Sequence, residues 1–148
     1  MSKKQLSSYL NEHLTEETLV LDMTKRAAVQ QKGVRFGTFF EMLSWELEED
    51  RDRLLRLMRE LGVRPHGVRV VLARIAAGFT GRSPVGTRDA LESLELRISR
   101  ELGMWTALRA DFADRAPGVN FDKQIRSVQY EVEQVQRHRL ALAAVTGV

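Results

Sequence analysis

Four stretches of this chain repeat apolar residues at alternating steps of three and four, which keeps one face of an α-helix apolar. The spacing predicts helices over about residues 5–31, 37–61, 88–115 and 121–145. The three prolines, Pro65, Pro84 and Pro117, all lie between these stretches. No stretch shows the strict alternation that is typical of a β-strand. The pattern therefore predicts an all-α fold built from four long helices.

The predicted connections differ in length. Those between the first two and the last two helices are short, whereas residues 63–86 form a long connection. This segment contains an apolar stretch at about residues 67–77, which we predict as a short extra helix. One long crossover along a bundle is the connectivity of ferritin-like folds, while an up-and-down bundle needs only tight loops. We therefore predict a ferritin-like four-helix bundle with a short extra helix between helices two and three.

Length and composition limit the class of protein. A chain of 148 residues fits a single domain, here residues 1–148, with room for one sizeable core. Cysteine is absent, which excludes thiolate metal sites and agrees with a reducing compartment. No apolar run reaches the length of about 18 residues that a membrane span needs. We expect a cytoplasmic protein without a membrane partner.

Acidic residues interrupt three of the four apolar stripes near their midpoints, namely Glu17, Asp50 and Glu101. In an aligned bundle these carboxylates would lie at a similar height. Carboxylate layers in helical bundles hold di-metal centres, and carboxylates suit hard cations such as manganese or iron. A metal site would use these three acids with Glu131 or Glu133 from the fourth helix, and with His13 as a nitrogen ligand.

The alternative is a structural role for the same acids, with no cofactor. Leaving a buried charge unpaired costs about 3–5 kcal/mol, so the acids must be metal-bound, protonated, paired or exposed. Arg139 lies on the predicted inner face of the fourth helix, and its planar guanidinium suits carboxylate pairing. We therefore predict an ion-pair network of the acids with Arg139, or exposure of one or two acids.

Arginine is concentrated in the crossover, where no acid occurs from Val63 to Arg88. A basic segment of this kind favours polyanions such as nucleic acid, although no recognition motif accompanies it. A second interpretation is that the segment lies against acidic helix faces of the same chain. The five residues that would contact a polyanion are Arg64, Arg69, Arg74, Arg82 and Arg88.

The second helix has a further apolar face outside its main stripe. Phe39, Met42 and Trp45 lie on this face, which needs a covering surface. The crossover helix or a second subunit would supply it. Between these two we favour a second subunit and predict a homodimer.

Several short stretches resemble uncharacterised bacterial ferritin-like helical proteins, and more distantly the stress-associated ferritin-like proteins. The resemblance extends over about residues 6–145 and implies the fold rather than a catalytic signature. In metal-binding members, the second and fourth helices each supply a Glu-x-x-His pair. Here residues 46–49 and 131–136 contain no histidine, which argues against iron oxidation and storage. The stretches that carry the resemblance are Tyr9–Leu14, Glu48–Arg51, Leu61–Val63, Leu91–Leu96 and Gln129–Glu133.

Together these observations predict a non-enzymatic ferritin-like protein with a degenerate metal site. The resemblance implies a stress-related interaction or scaffold role. A carboxylate-rich protein that binds two iron or manganese ions is the alternative, and a nucleic-acid or polyanion binder is the third hypothesis.

Overall fold

The computed structural model of this protein describes residues 1–67, 72 and 86–146. Within these residues every regular element is an α-helix, and no β-strand occurs. The helices are α1 (Lys3–Gln30), α2 (Gly37–Glu60), α3 (Thr87–Phe112) and α4 (Phe121–Thr146). The prediction of an all-α chain with four long helices is confirmed. The predicted extra helix, residues 67–77, lies almost entirely outside the described residues.

Polar side chains cap the starts of two helices. Ser2 Oγ accepts a hydrogen bond from the Gln5 backbone N–H at 3.1 Å, and the Gln5 side chain accepts one from the Ser2 N–H at 2.8 Å. This reciprocal pair satisfies amides that the first turn leaves free, so α1 begins at Lys3, two residues earlier than predicted. Asn120 Oδ1 accepts a hydrogen bond from the Lys123 N–H at 3.0 Å and caps α4 in the same way.

Gly62 ends α2 and turns the chain. Its φ of 69° is in the left-handed region, where a side chain would be strained. The Gly62 N–H donates to Arg59 O at 3.2 Å, and the Val63 N–H donates to Met58 O at 2.8 Å. These two bonds form a Schellman motif that satisfies the last carbonyls of the helix. The side chain of Val63 is buried and covers this end.

The helices form a four-sided bundle in which α1 and α4 are diagonal to one another, as are α2 and α3. The most extensive packing is within two hairpins, α1 with α2 and α3 with α4. Arg109 pairs with Asp122 at 2.9 Å, and Arg139 pairs with Glu95 at 2.6 Å. The later position of α3, 109, pairs with the earlier position of α4, and the earlier position, 95, pairs with the later one. The two helices are therefore antiparallel.

The second pair of neighbours, α2 and α4, is antiparallel too. Phe39 stacks on His138 with ring centroids 3.7 Å apart, and Arg53 Nη1 donates to Gln124 Oε1 at 2.7 Å. Since α3 and α2 each run opposite to α4, they run parallel to each other. The connection between them, residues 61–86, therefore joins opposite ends of the bundle.

Asn11 of α1 holds the first residues of this connection. Its side chain is buried, Nδ2 donates to Arg64 O at 3.1 Å, and Oδ1 accepts from the His66 N–H at 2.7 Å. The amide supplies partners to two backbone groups that no helix satisfies. The chain consequently leaves α2 along α1 rather than along α4.

Apolar side chains from all four helices fill the interior, and each buried leucine or isoleucine contributes about 1.5–3 kcal/mol relative to exposure. Wholly enclosed examples are Leu10, Phe40, Leu54, Leu94 and Trp105. None of the helices in the described part is long and apolar enough to span a membrane. The core is not apolar throughout, because a layer of carboxylates divides it at mid-height.

Candidate metal centre

The four helices each contribute one buried carboxylate to the centre of the bundle. The exposed fractions of these residues are 4% for Glu17, 3% for Asp50, 4% for Glu101 and 0% for Glu131. The three acids that the apolar stripes predicted are thus buried, and a fourth joins them. We call this set the acid layer.

The acid layer is buried because each member occupies a core position in its helix. Apolar core residues precede and follow each acid at steps of three or four, so the backbone turns its side chain inward. The flanking pairs are Leu14 and Val20, Leu47 and Leu54, Ile98 and Trp105, and Val128 and Val135.

The carboxyl groups face one another in two pairs. Glu17 lies against Glu101, and Asp50 lies against Glu131. No protein donor reaches either oxygen of Glu17, Glu101 or Glu131 in the described part of the chain. Each of these glutamates faces another carboxyl, which can donate only while it carries a proton.

A small cavity lies among three members of the layer, Glu17, Asp50 and Glu101, with Val20, Leu47 and Ile98 completing its wall. Its volume is about 10 Å³, measured as the space open to the centre of a water-sized sphere. That is about the space which one water molecule needs. The layer therefore encloses room for a single small species between the carboxylates.

Asp50 differs from the other acids because it has two donors. Gln124 Nε2 donates to Asp50 Oδ1 at 2.8 Å, and Arg53 Nη1 approaches the same oxygen at 3.5 Å. Arg53 Nη1 also donates to Gln124 Oε1 at 2.7 Å, which fixes the orientation of the Gln124 amide. Both donors act on Oδ1, so Oδ2 receives neither bond.

Burial disfavours the charged form of every member of the layer. It raises the pKa of Glu17 well above the usual range, and the charge of Glu101 raises it further. Burial raises the pKa of Glu101 to about 7, although a hydrogen bond from Glu17 acts in the opposite direction.

In the second pair, too, burial raises the pKa of both carboxyls, and hydrogen bonds oppose the rise in one of them. Burial, and then the neighbouring Asp50, raises the pKa of Glu131 well above its usual range. Burial also raises the pKa of Asp50, while hydrogen bonds from Glu131 and Gln124 and the charge of Arg53 lower it. Each facing pair therefore retains a proton to a higher pH than an isolated carboxyl would, and that proton belongs to the pair rather than to one residue.

The predicted network with Arg139 is not formed. Arg139 Nε donates to Glu95 Oε2 at 2.6 Å, at the edge of the bundle. Position 139 is two helical turns beyond Glu131, about 12 Å along α4, which separates it from the acid layer. Exposure, the other structural explanation for the acids, is excluded by their burial.

The inner face of α4 includes position 131. Glu131 is fully buried, whereas Val132 is only partly buried and Glu133 is exposed. The buried residues of this helix are Phe121, Gln124, Ile125, Val128, Glu131 and Val135. Glu131, rather than Glu133, therefore belongs to the acid layer.

His13 lies outside the acid layer. Its half-buried ring packs edge-to-face on Tyr9 with centroids 4.7 Å apart. Burial lowers its pKa, while Glu12 and Glu16 raise it. The imidazole is therefore a packing partner of Tyr9 in this arrangement.

No three histidine, aspartate or glutamate side chains in the described part of the chain are arranged to hold a metal ion as they stand. The donor chemistry nevertheless fits a hard cation, because six buried carboxylate oxygens among the described residues have no donor other than a neighbouring carboxyl. Cation binding to Glu17, Asp50, Glu101 and Glu131 would require their side chains to turn from facing pairs toward a common centre.

The residues of the predicted polyanion surface are only partly described. Arg64 and Arg88 are exposed, and Arg88 Nε pairs with Glu92 at 3.3 Å. Arg69, Arg74 and Arg82 lie outside the described residues. Binding of polyanions through these arginines stays a prediction.

Gln124 and Arg53 were missed at the level of the sequence. Gln124 precedes Glu131 by seven residues, which is the spacing of two positions on one helix face. Polar residues at that spacing on an otherwise apolar face are the signal that could have identified Gln124. The role of Arg53 depends on the α2–α4 contact, for which the sequence carries no local signal.

No family model, no curated protein and no solved structure matches this chain.

Proposed function

We propose that this protein binds a hard divalent metal ion, manganese or iron, in the acid layer at the centre of a ferritin-like bundle. The observation that carries the proposal is the set of three almost wholly buried glutamates, Glu17, Glu101 and Glu131, whose oxygens meet no protein donor. Asp50 completes a set with one carboxylate from each helix.

The energetic cost of the layer supports the proposal. One uncompensated buried charge costs about 3–5 kcal/mol, and a domain of this length is stable by only about 7–22 kcal/mol in total. Three such charges would remove most of that stability, so the layer needs protons or a cation. A divalent cation offsets two of the four negative charges and supplies a partner to the carboxylate oxygens, whereas facing acids are compensated only while protonated.

The ligand set limits the metal that this site would select. It offers carboxylate oxygens alone, with no thiolate and with His13 turned onto Tyr9. Oxygen ligands suit manganese, iron and other hard cations better than copper or zinc. Bound there, the ion would offset two of the four negative charges of the layer. Glu17, Asp50, Glu101 and Glu131 would hold it, and Gln124 and Arg53 would orient Asp50.

Two features support the ferritin-like part of the proposal. The parallel direction of α2 and α3 requires the connection 61–86 to join opposite ends of the bundle, as a single crossover does. The acid layer also draws one carboxylate from each helix. The absence of the two Glu-x-x-His pairs makes this a purely carboxylate variant of such a site.

Metal content and thermal stability test the proposal directly. We expect protein purified without chelator to contain manganese or iron stoichiometrically, and added Mn²⁺ to raise the Tm of the stripped protein. An ion at a hundred times its Kd adds about 2.7 kcal/mol, which corresponds to about 5–10 °C for a domain of this size. Elemental analysis and a calorimetric melt give both quantities.

Two variants make the test specific. Glu17→Gln keeps the side-chain shape and removes a ligand charge, so the rise in Tm should disappear. Glu12→Gln changes an exposed glutamate of the same helix and should leave the rise intact. Metal-free protein whose Tm does not respond to either ion would rule out the proposal.

A non-enzymatic scaffold with a protonated acid layer is the second candidate. The facing pairs Glu17–Glu101 and Asp50–Glu131 favour it, because two carboxyls that share a proton adopt such an arrangement. A stress-related interaction role, which the resemblance implies, belongs to this candidate. The metal analysis separates the two, since the scaffold needs no ion at neutral pH.

We further propose that two copies pair through the apolar face of α2. Met42 is 53% exposed and Trp45 is 61% exposed, and Tyr130 of α4 extends the apolar surface beside them. The first residues of the crossover are bound to α1, which leaves this face uncovered by them.

Light scattering at micromolar concentration is expected to give the mass of a dimer. The double variant Met42→Ser/Trp45→Ser should give a monomer, because it removes the apolar surface without touching the core. Val29→Ser, at an exposed apolar position of α1, should remain dimeric. A monomeric wild-type chain would refute the pairing.

A further inference from the structure

A surface cavity lies between α2 and the start of α4, and its charged walls are Arg53, Arg56 and Lys123. Residues Gly118–Asn120 and Gln124 complete the lining. The cavity measures about 200 Å³ in the space open to the centre of a water-sized sphere. We call it the basic cavity. It lies beside the acid layer, to which it is linked by the contacts of Arg53 and Gln124 with Asp50, and its ligand goes beyond the metal proposed above.

Among the described residues, no acidic partner pairs with two of the three cations in the basic cavity. The ion pairs of the described residues include none with the side chains of Arg56 or Lys123, both of which are exposed. Exposed cations within one concave site raise the local concentration of anions. A ligand bearing at least two negative charges would satisfy both side chains together.

The third cation is partly compensated and held in place. Arg53 donates to Gln124 at 2.7 Å and lies 3.5 Å from Asp50, while Glu49 approaches its other terminal nitrogen at 3.4 Å. A further acid, Glu60, accepts a hydrogen bond from the Gly118 N–H at 3.2 Å. The guanidinium is therefore held in the lining of the cavity by its contacts with Gln124, Asp50 and Glu49.

The size of the basic cavity limits the ligand. Pockets for drug-sized molecules measure about 300–1,000 Å³, and one water needs about 10–15 Å³. A volume between these limits suits a small polyatomic ion. Guanidinium groups bind tetrahedral oxyanions through two parallel hydrogen bonds, and lysine adds a point charge. We propose that the basic cavity binds a small oxyanion of the phosphate class, either free or carried as a phosphomonoester.

An NMR titration of the metal-free full chain tests this inference. Inorganic phosphate is added at low ionic strength, with sodium chloride at matched ionic strength as the blank. The side-chain amide of Gln124 is the local probe, since it contacts Arg53 in the lining of the cavity. We expect saturable shifts of this amide with half-saturation at or below about 1 mM, a weak but specific range. A parallel titration with glycerol 3-phosphate shows which of the two sources binds more tightly.

The double variant Arg56→Gln/Lys123→Gln should weaken phosphate binding at least tenfold, since it removes two charge-assisted contacts. Lys4→Gln/Arg100→Gln removes the same net charge at exposed positions elsewhere and should bind within twofold of the wild type. Far-ultraviolet circular dichroism confirms that each variant is folded.

The inference is overturned if the wild type shows no saturable shift up to 10 mM phosphate (about ten times the expected half-saturation). It is equally overturned if the double variant binds as tightly as the wild type. Because the titration uses metal-free protein, its outcome is independent of the metal proposal.

Discussion

Methionine in place of Glu131 is expected to stabilise the metal-free protein by about 1–4 kcal/mol at pH 8. Glu131 is fully buried and neither of its oxygens meets a protein donor. Removing an unsatisfied buried carboxyl is favourable when the replacement keeps the volume, and methionine has a similar length and adapts to irregular space. Asp50 retains its bonds with Gln124 and Arg53 after the change.

Chemical denaturation in the presence of a chelator measures this effect. Glu133→Met, two positions further along α4 and exposed, is the matched control and should change the free energy of unfolding by less than about 0.5 kcal/mol. The same Glu131→Met variant should lose the metal-induced rise in Tm. A variant that is more stable than the wild type but no longer responds to metal is typical of a residue that is kept for function rather than for stability. A destabilised Glu131→Met protein would mean that the carboxyl is structurally required.

The metal-free wild type is expected to lose stability as the pH rises from 5 to 8. The pKa of Glu101 is about 7 in the folded protein and close to its ordinary 4.5 in the unfolded chain. The folded state therefore holds this proton more tightly, and the resulting stabilisation is lost between pH 4.5 and 7. For Glu101 alone the loss is about 2–3 kcal/mol. The raised pKa values of Glu17 and Glu131 act in the same direction at higher pH.

Glu101→Gln removes the titration of Glu101 together with its effect on the pKa of Glu17. The variant cannot ionise at position 101, so its free energy of unfolding should fall less steeply than that of the wild type over the same pH range. The difference between the two slopes, measured by urea unfolding with chelator present, gives the Glu101 term. Parallel pH profiles for the two proteins would show that Glu101 is not buried as a shared acid. Addition of Mn²⁺ at pH 8 should restore the lost stability of the wild type.

The sequence was sufficient to predict the four helices because each has a long apolar stripe, which single acids interrupt without changing its period. Helix ends were predicted to within three residues, since Gly62 and Asn120 are local signals that do not depend on the rest of the fold. The burial of Glu17, Asp50 and Glu101 was also accessible, because each stands in a stripe between two core residues. For these features, the local sequence pattern and the packing of the whole bundle favour the same structure.

Partners of the acids could not be predicted in the same way. The predicted pairing with Arg139 failed because Arg139 lies two helical turns beyond Glu131 and pairs with Glu95 at the edge of the bundle instead. Gln124 contacts Asp50 across 74 positions of sequence, and that pairing depends on how far α4 slides along α2. The relative position of two helices along their axes is determined by all the side-chain contacts between them, so it cannot be predicted from one short stretch of sequence.

The position of the acid layer relative to the two hairpins has a consequence for assembly. Glu17 and Asp50 belong to the α1–α2 hairpin, while Glu101 and Glu131 belong to the α3–α4 hairpin. Each facing pair thus spans the interface between the halves, and neither half contains a pair by itself. Two ionised carboxylates push the halves apart, whereas a shared proton or cation draws them together. How firmly the two halves of this protein associate therefore depends on the ion that they hold in common.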